Sequence, residues 1–120
     1  RYMQPEVRKH LYDMLQAASR LAEFTQGKTF EQYLEDSLLR SAVERQLGIL
    51  GEALNRARRT DSETADRVRD ARRIIAFRNL LVHDYDIVDD RLVWGILEAY
   101  LPGLSEDVRR LLSESGELEA

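Results

Sequence analysis

The sequence predicts an all-α protein, an up-and-down bundle of four to five helices, on three observations. Its 120 residues are rich in Leu, Ala, Glu and Arg, with only two Pro and six Gly, a composition that favours helix. Apolar residues recur at three- and four-residue steps along most of the chain. No stretch shows the period-two alternation of a strand.

Each element follows from local signals. Pro5 suits the first turn of a helix, and Val7, Leu11, Met14, Leu15, Ala18, Leu21 and Ala22 form its apolar stripe. Gly27 is a stop signal. Thr29 to Glu35 reads as a turn or a one-turn helix. A second long helix runs from about Asp36 to Arg58, with Leu39, Val43, Leu47, Leu50, Leu54 and Ala57 in its stripe. Gly48 and Gly51 lie inside it on one face, each costing about 1 kcal/mol relative to Ala. Their expected role is to let another helix approach closely. Thr60 to Ala65 reads as a polar loop. A third helix is expected from about Asp66, carrying Val68, Ala71, Ile74, Ile75, Phe77, Leu81 and Val82. Asp89 and Asp90 can cap a fourth, which Leu101-Pro102-Gly103 should break or kink. A helix then restarts at Ser105-Glu106-Asp107 and runs through Leu112, and the tail from Ser113 is expected to fray.

Length and composition bound the function. One domain over residues 1–120 is expected from the length, large enough to bury a core without staples. There is no Cys, which excludes disulfides and thiolate metal sites. Two His without Cys are a poor ligand set, so no metal and no cofactor are expected. No apolar run approaches the roughly 18 residues of a membrane span, and no signal peptide is visible. A soluble, cytoplasmic protein with no membrane association is the expectation. Residue 1 is Arg, and a few native residues are expected ahead of it.

The net charge of −4 is unevenly spread. Residues 56–78 carry eight Arg against four acids, a net of +4. Residues 79–120 carry three Arg against ten acids, a net of −7. The basic segment is either a patch that draws RNA toward its end at Arg78 or an ordinary solvated helix surface. The acidic segment suits a protein partner better than RNA.

The chemistry-bearing stretch is Arg78-Asn79-Leu80-Leu81-Val82-His83-Asp84-Tyr85. Arg78 is a permanent cation suited to phosphate, His83 can exchange a proton near neutral pH, and Tyr85 carries a phenol. A fixed cation beside a proton shuttle is what cleavage of an RNA phosphodiester requires. On one ideal helix, residues 78 and 83 point about 140° apart. Either the helix ends near His83, turning His83 and Tyr85 toward Arg78, or two copies of the motif meet across a twofold axis. The blander alternative is that Arg78 pairs with Asp84 or Asp86, His83 sits at a helix end and Tyr85 is core. His10, the other histidine, reads as surface or helix packing.

With this motif, the chain resembles the HepT toxin family of the HEPN superfamily, whose pattern is Arg, four residues, His, one residue, Tyr. The resemblance extends through Arg8-Lys9-His10-Leu11-Tyr12-Asp13, Arg40 to Leu47, Ile49 to Asn55 and Val88 to Trp94. It implies a homodimer with an RNA cleft at the interface, Arg78 and His83 as catalytic residues, and metal-independent attack by the RNA's own 2′-hydroxyl. It further implies an antitoxin partner, a minimal nucleotidyltransferase of the MntA kind, which attaches AMP to Tyr85. Glu44, Arg45 and Glu52 match polar positions of the family's second helix, where they orient motif residues or form inter-helix ion pairs. Asn79 contacts a phosphate or base, orients His83, or faces solvent. Two other functions compete: a non-catalytic nucleotide- or partner-binding HEPN module, and a structural dimerisation module in which Arg78 and His83 are dispensable.

Overall fold

The computed structural model describes residues 2–116, with the side chain of Tyr85 outside that description. The described residues form a helical bundle without strands. Its helices are α1 (Pro5–Thr25), α2 (Phe30–Glu35), α3 (Ser37–Thr60), α4 (Ser62–Ala65), α5 (Ala71–His83), α6 (Asp90–Ala99) and α7 (Leu101–Gly116), with a 3-10 turn at Tyr85–Ile87. The all-α bundle expected from the periodicity is what is found, with two short helices inserted between the long ones.

α1 and α3 are the central pair, and each is amphipathic. Val7, Leu11, Met14 and Leu21 from α1 are fully buried against Val43, Leu50 and Leu54 from α3. α5 packs on α3, α7 on α1 and α6, and α2 on α3 and α6. Trp94 of α6 closes one end against Tyr33 at 5.2 Å and Phe30 at 6.2 Å between ring centroids. No helix among the described residues is long and apolar enough to cross a membrane.

Local chemistry sets most boundaries. Pro5 opens α1, and Gly27 turns the chain after it at φ 72°. Thr29 and Gln32 form a reciprocal capping box at α2. Asp36 caps α3 through the Leu39 amide, and Asp89 caps α6 through the Arg91 amide.

Three boundaries differ from the sequence expectation, the first for a local reason and the other two for tertiary ones. Residues 60–65 are not all loop, because Asp61 accepts from both the backbone N–H and the hydroxyl of Thr64 and caps the single turn α4. α5 starts at Ala71 rather than near Asp66. Val68 is buried there, the Asp107 carboxylate takes the Arg69 amide at 2.9 Å, and Asp70 adopts φ 62°, which helix cannot continue. α7 begins at Leu101, with Pro102 in its first turn, and continues to Gly116 instead of fraying from Ser113. Leu111, Leu112 and Ser115 are buried, and Arg8 donates to the Ser115 hydroxyl at 2.6 Å.

The basic and acidic segments meet in this fold. Arg67 forms a two-pronged pair with Glu114, and Arg69 with Asp107. The hydrogen bond and charge of Arg69 outweigh burial and hold the Asp107 carboxyl below its ordinary range. Arg58 pairs with Asp66, and Arg73 lies against Tyr100 and Asp70. Part of the positive charge of residues 56–78 is therefore spent inside the bundle surface, and the cationic stretch is narrower than the sequence suggests.

Candidate functional site

Arg78 reaches its position because Gly51 lies opposite it. A Cβ built on Gly51 would fall 2.3 Å from the Arg78 Cβ and 2.7 Å from its Cγ. Only a glycine lets α5 approach α3 this closely, so the role expected for this face of α3 falls on Gly51. Gly48 meets nothing within 4 Å, and it lines open space instead.

The residue next to Gly51 then holds the arginine. Glu52 Oε1 lies 3.2 Å from Arg78 Nη2, an ion pair joining the two helices. Glu52 Oε2 accepts from Arg56 Nε at 3.0 Å and lies 4.0 Å from Arg59 Nη2. Burial raises the Glu52 pKa, but the Arg56 hydrogen bond and the charges of Arg78, Arg56 and Arg59 outweigh it and bring it below the ordinary value. One carboxylate among three guanidinium groups leaves positive charge in surplus. Arg78 Nη1 also donates to Asn79 Oδ1 at 3.0 Å. The Arg78 side chain is 20% exposed, so it is braced on one side and open on the other. Its Nε is buried without an acceptor among the described residues.

The open side faces a cleft of about 600 Å³ between α1, α3 and α5, within the range typical of ligand sites, roughly 300–1,000 Å³. Gly48, Ile49, Ala53, Leu81 and Val82 give it an apolar floor. Glu44, Arg45, Glu52 and Arg78, all singled out from the sequence, stand on its walls with Arg56. Asp13 and His10 join them from α1. Asp13 is paired with Lys9 at 2.8 Å.

Sequence reasoning missed His10 and Asp13 as cleft residues. The signal was present in the spacing: they sit at i, i+3 on α1, and Ser41, Glu44, Arg45, Gly48 and Glu52 continue at three- and four-residue steps along one face of α3. His10 is 7% exposed, which decides for packing over surface.

His83 is the last residue of α5 and is exposed. It lies at the C-terminal, negative pole of that helix. It is not among the residues lining the Arg78 cleft. The helix does end where the sequence allowed it to, with Asp84 as C-cap, and the chain continues into the 3-10 turn. The phenol of Tyr85 lies outside the described residues.

The all-α bundle is consistent with the HEPN type. The family model described as Ribonuclease HepT-like matches residues 14–111. The chain belongs to this HepT-like family. A protein of Thermococcus cleftensis named "Probable ribonuclease HepT" is 31% identical over 106 residues, covering 85% of this chain and 92% of its own length. Proteins named as candidate RNases show similar likeness. One from Methanocaldococcus jannaschii is 29% identical over 86% of this chain and 94% of its own length. Another, from Caldanaerobacter subterraneus subsp. tengcongensis, is 30% identical over 89% and 95% respectively. No solved structure matches the chain.

Proposed function

We propose that this protein is a metal-independent endoribonuclease, acting as the toxin of a toxin–antitoxin pair. The observation that carries the proposal is Arg78, fixed by Glu52 with its guanidinium open to the cleft, in a chain of the HepT-like family. A braced guanidinium can hold the charge that grows on the phosphoryl oxygens. RNA brings its own nucleophile in the 2′-hydroxyl, so the protein needs only proton transfer and charge stabilisation. His83 moves a proton at the end of α5. Two chains form a homodimer that brings both motifs to a shared cleft, supplying an Arg78 and a His83 from each side. Glu44, Arg45 and Asn79 orient the groups that touch RNA. Products end in a 2′,3′-cyclic phosphate.

The test is cleavage of RNA by the purified chain in EDTA, wild type against His83→Ala, with the mass in solution measured at the assay concentration. The expected result is a dimer that cleaves despite chelation, and a folded variant at least about 100-fold slower. Expression of the wild type alone should slow bacterial growth, and His83→Ala should relieve this. Equal cleavage by the folded variant would remove the nuclease assignment. Activity lost to EDTA and restored by a divalent ion would overturn the mechanism, and a fully active monomer would overturn the shared cleft.

One observation favours a second function. In the single chain His83 stands outside the Arg78 cleft, as a non-catalytic nucleotide- or partner-binding module would allow. That module predicts no cleavage and no effect of His83→Ala.

Control by a partner belongs to the same proposal. A minimal nucleotidyltransferase antitoxin of the MntA kind attaches AMP to Tyr85, and the added phosphate charge and bulk occupy Arg78 and block RNA. A phenol with a pKa of about 10 is a poor base at neutral pH, so Tyr85 is a regulatory acceptor rather than a proton carrier. After co-expression with the nucleotidyltransferase, wild type should gain AMP at Tyr85 by intact mass and peptide mapping. Tyr85→Phe should gain none, keep most of its cleavage activity and escape silencing. AMP on another residue would refute the assignment.

A further inference from the structure

Cleavage through a 2′-hydroxyl needs two proton transfers. One group removes the hydroxyl proton as O2′ bonds to phosphorus, and another protonates O5′ as the P–O5′ bond breaks. The cleft that holds Arg78 contains one imidazole, and it is that of His10, not His83. The chain has two histidines, so α1 contributes one to the cleft and α5 carries the other at its exposed end.

The setting of His10 is that of a held group rather than a free surface side chain. Its side chain is 9% exposed, and it sits one turn from Val7 on the inward face of α1. Its Nε2 lies 3.8 Å from Glu6 Oε1, too long for a hydrogen bond and an ion pair only when the ring is protonated. No hydrogen bond engages its ring nitrogens among the described residues. The charged groups on the cleft walls around it are Asp13 from α1, Glu44, Arg45, Glu52 and Arg56 from α3, and Arg78 from α5. Among the described residues α7, which also packs on α1, contributes no group to the cleft.

We propose that His10 is the second proton-transfer group of the Arg78 cleft, the other being the His83 that the proposed dimer brings to it, both acting on the phosphodiester that Arg78 holds. The inference rests on the ribonuclease function proposed above. One imidazole takes the 2′-hydroxyl proton and the other, protonated, gives one to O5′. Protons balance, and the products are a 2′,3′-cyclic phosphate and a 5′-hydroxyl. No metal or further reactant is needed.

The test is kcat/KM against pH for wild type, His10→Gln and His83→Gln, with thermal unfolding of each. Wild type should show a bell with two limbs. His10→Gln should remain folded, lose one limb and fall by about 100-fold at the optimum, while His83→Gln loses the other limb. A histidine that only packs would lower the unfolding temperature and leave both limbs in place, which would overturn the proposal.

A second measurement uses wild type alone, so it does not depend on a variant folding. The His10 ring protons, followed by NMR, should shift on addition of a 2′-deoxy oligonucleotide that cannot be cleaved. An unmoved His10 signal, with RNA cleavage intact, would overturn the proposal and leave the ribonuclease function standing. Absence of cleavage by wild type at every pH would overturn that function and this proposal with it.

Discussion

Arg78→Ala should lower RNA cleavage by about 100- to 1,000-fold, the usual loss when one fixed donor to a developing oxyanion is removed, without unfolding the protein. The structure separates the two effects. Glu52 keeps Arg56 at 3.0 Å and Arg59 at 4.0 Å when Arg78 is truncated, so no buried carboxylate is left bare. The contact with Gly51 involves the Arg78 Cβ first, and alanine retains it. Arg78→Lys should recover little, because an ammonium cannot grip a phosphate through two parallel N–H groups. Glu52→Gln removes the brace but leaves the cation, and about a 10-fold loss is expected if a less constrained guanidinium still finds the phosphate part of the time. Cleavage rates and urea unfolding of the three variants check this. A folded Arg78→Ala protein with wild-type cleavage would place the chemistry elsewhere.

Gly51→Ala is the second change with a large expected effect, and its direction runs against helix propensity. Glycine to alanine inside a helix ordinarily stabilises by about 1 kcal/mol. Here the new methyl would meet the Arg78 Cβ at 2.3 Å. Neither atom is the loose end of a side chain, so α5 must move away from α3. Overpacking of this kind costs up to about 3 kcal/mol, leaving a net loss of up to roughly 2 kcal/mol after the propensity gain. The displacement also pulls Arg78 off Glu52, and cleavage should fall by about 100-fold, since catalysis tolerates misplacement of about 1 Å poorly. Gly48→Ala is the matched control. Its Cβ meets nothing within 4 Å, and it should raise stability by up to about 1 kcal/mol. Urea denaturation midpoints compare the two directly. A Gly51→Ala protein as stable as Gly48→Ala would mean that the helices separate without cost and that the close approach is not needed.

Much of the bundle was legible along the chain because its signals are local. Pro5, Gly27 and Asp89 act on backbone groups within three residues of themselves. Periods of three and four residues mark the buried face of each long helix wherever the helix later packs. The misplaced boundaries at residues 66–70 and beyond Ser113 share one cause. Asp107 takes the Arg69 amide from 38 residues away, and Arg8 reaches Ser115 across 107 residues. No window of neighbouring residues contains those partners. The pairing of the basic segment was hidden in the same way, since Glu114 and Asp107 lie far along the chain from Arg67 and Arg69 but beside them in space.

By itself the sequence determined the all-α class, the positions of the long helices, the presence of an Arg-x4-His-x-Tyr motif and the likeness to the HepT family, since these depend on residue type and spacing alone. Only the tertiary structure decided that Gly51, and not Gly48, admits Arg78. The same packing made Glu52 the brace and put His10 on the wall of the Arg78 cleft while leaving His83 at a helix end. Those outcomes depend on how closely and at what rotation α1, α3 and α5 pack. Helix spacing along the chain specifies which residues share a face, and packing alone specifies which faces meet.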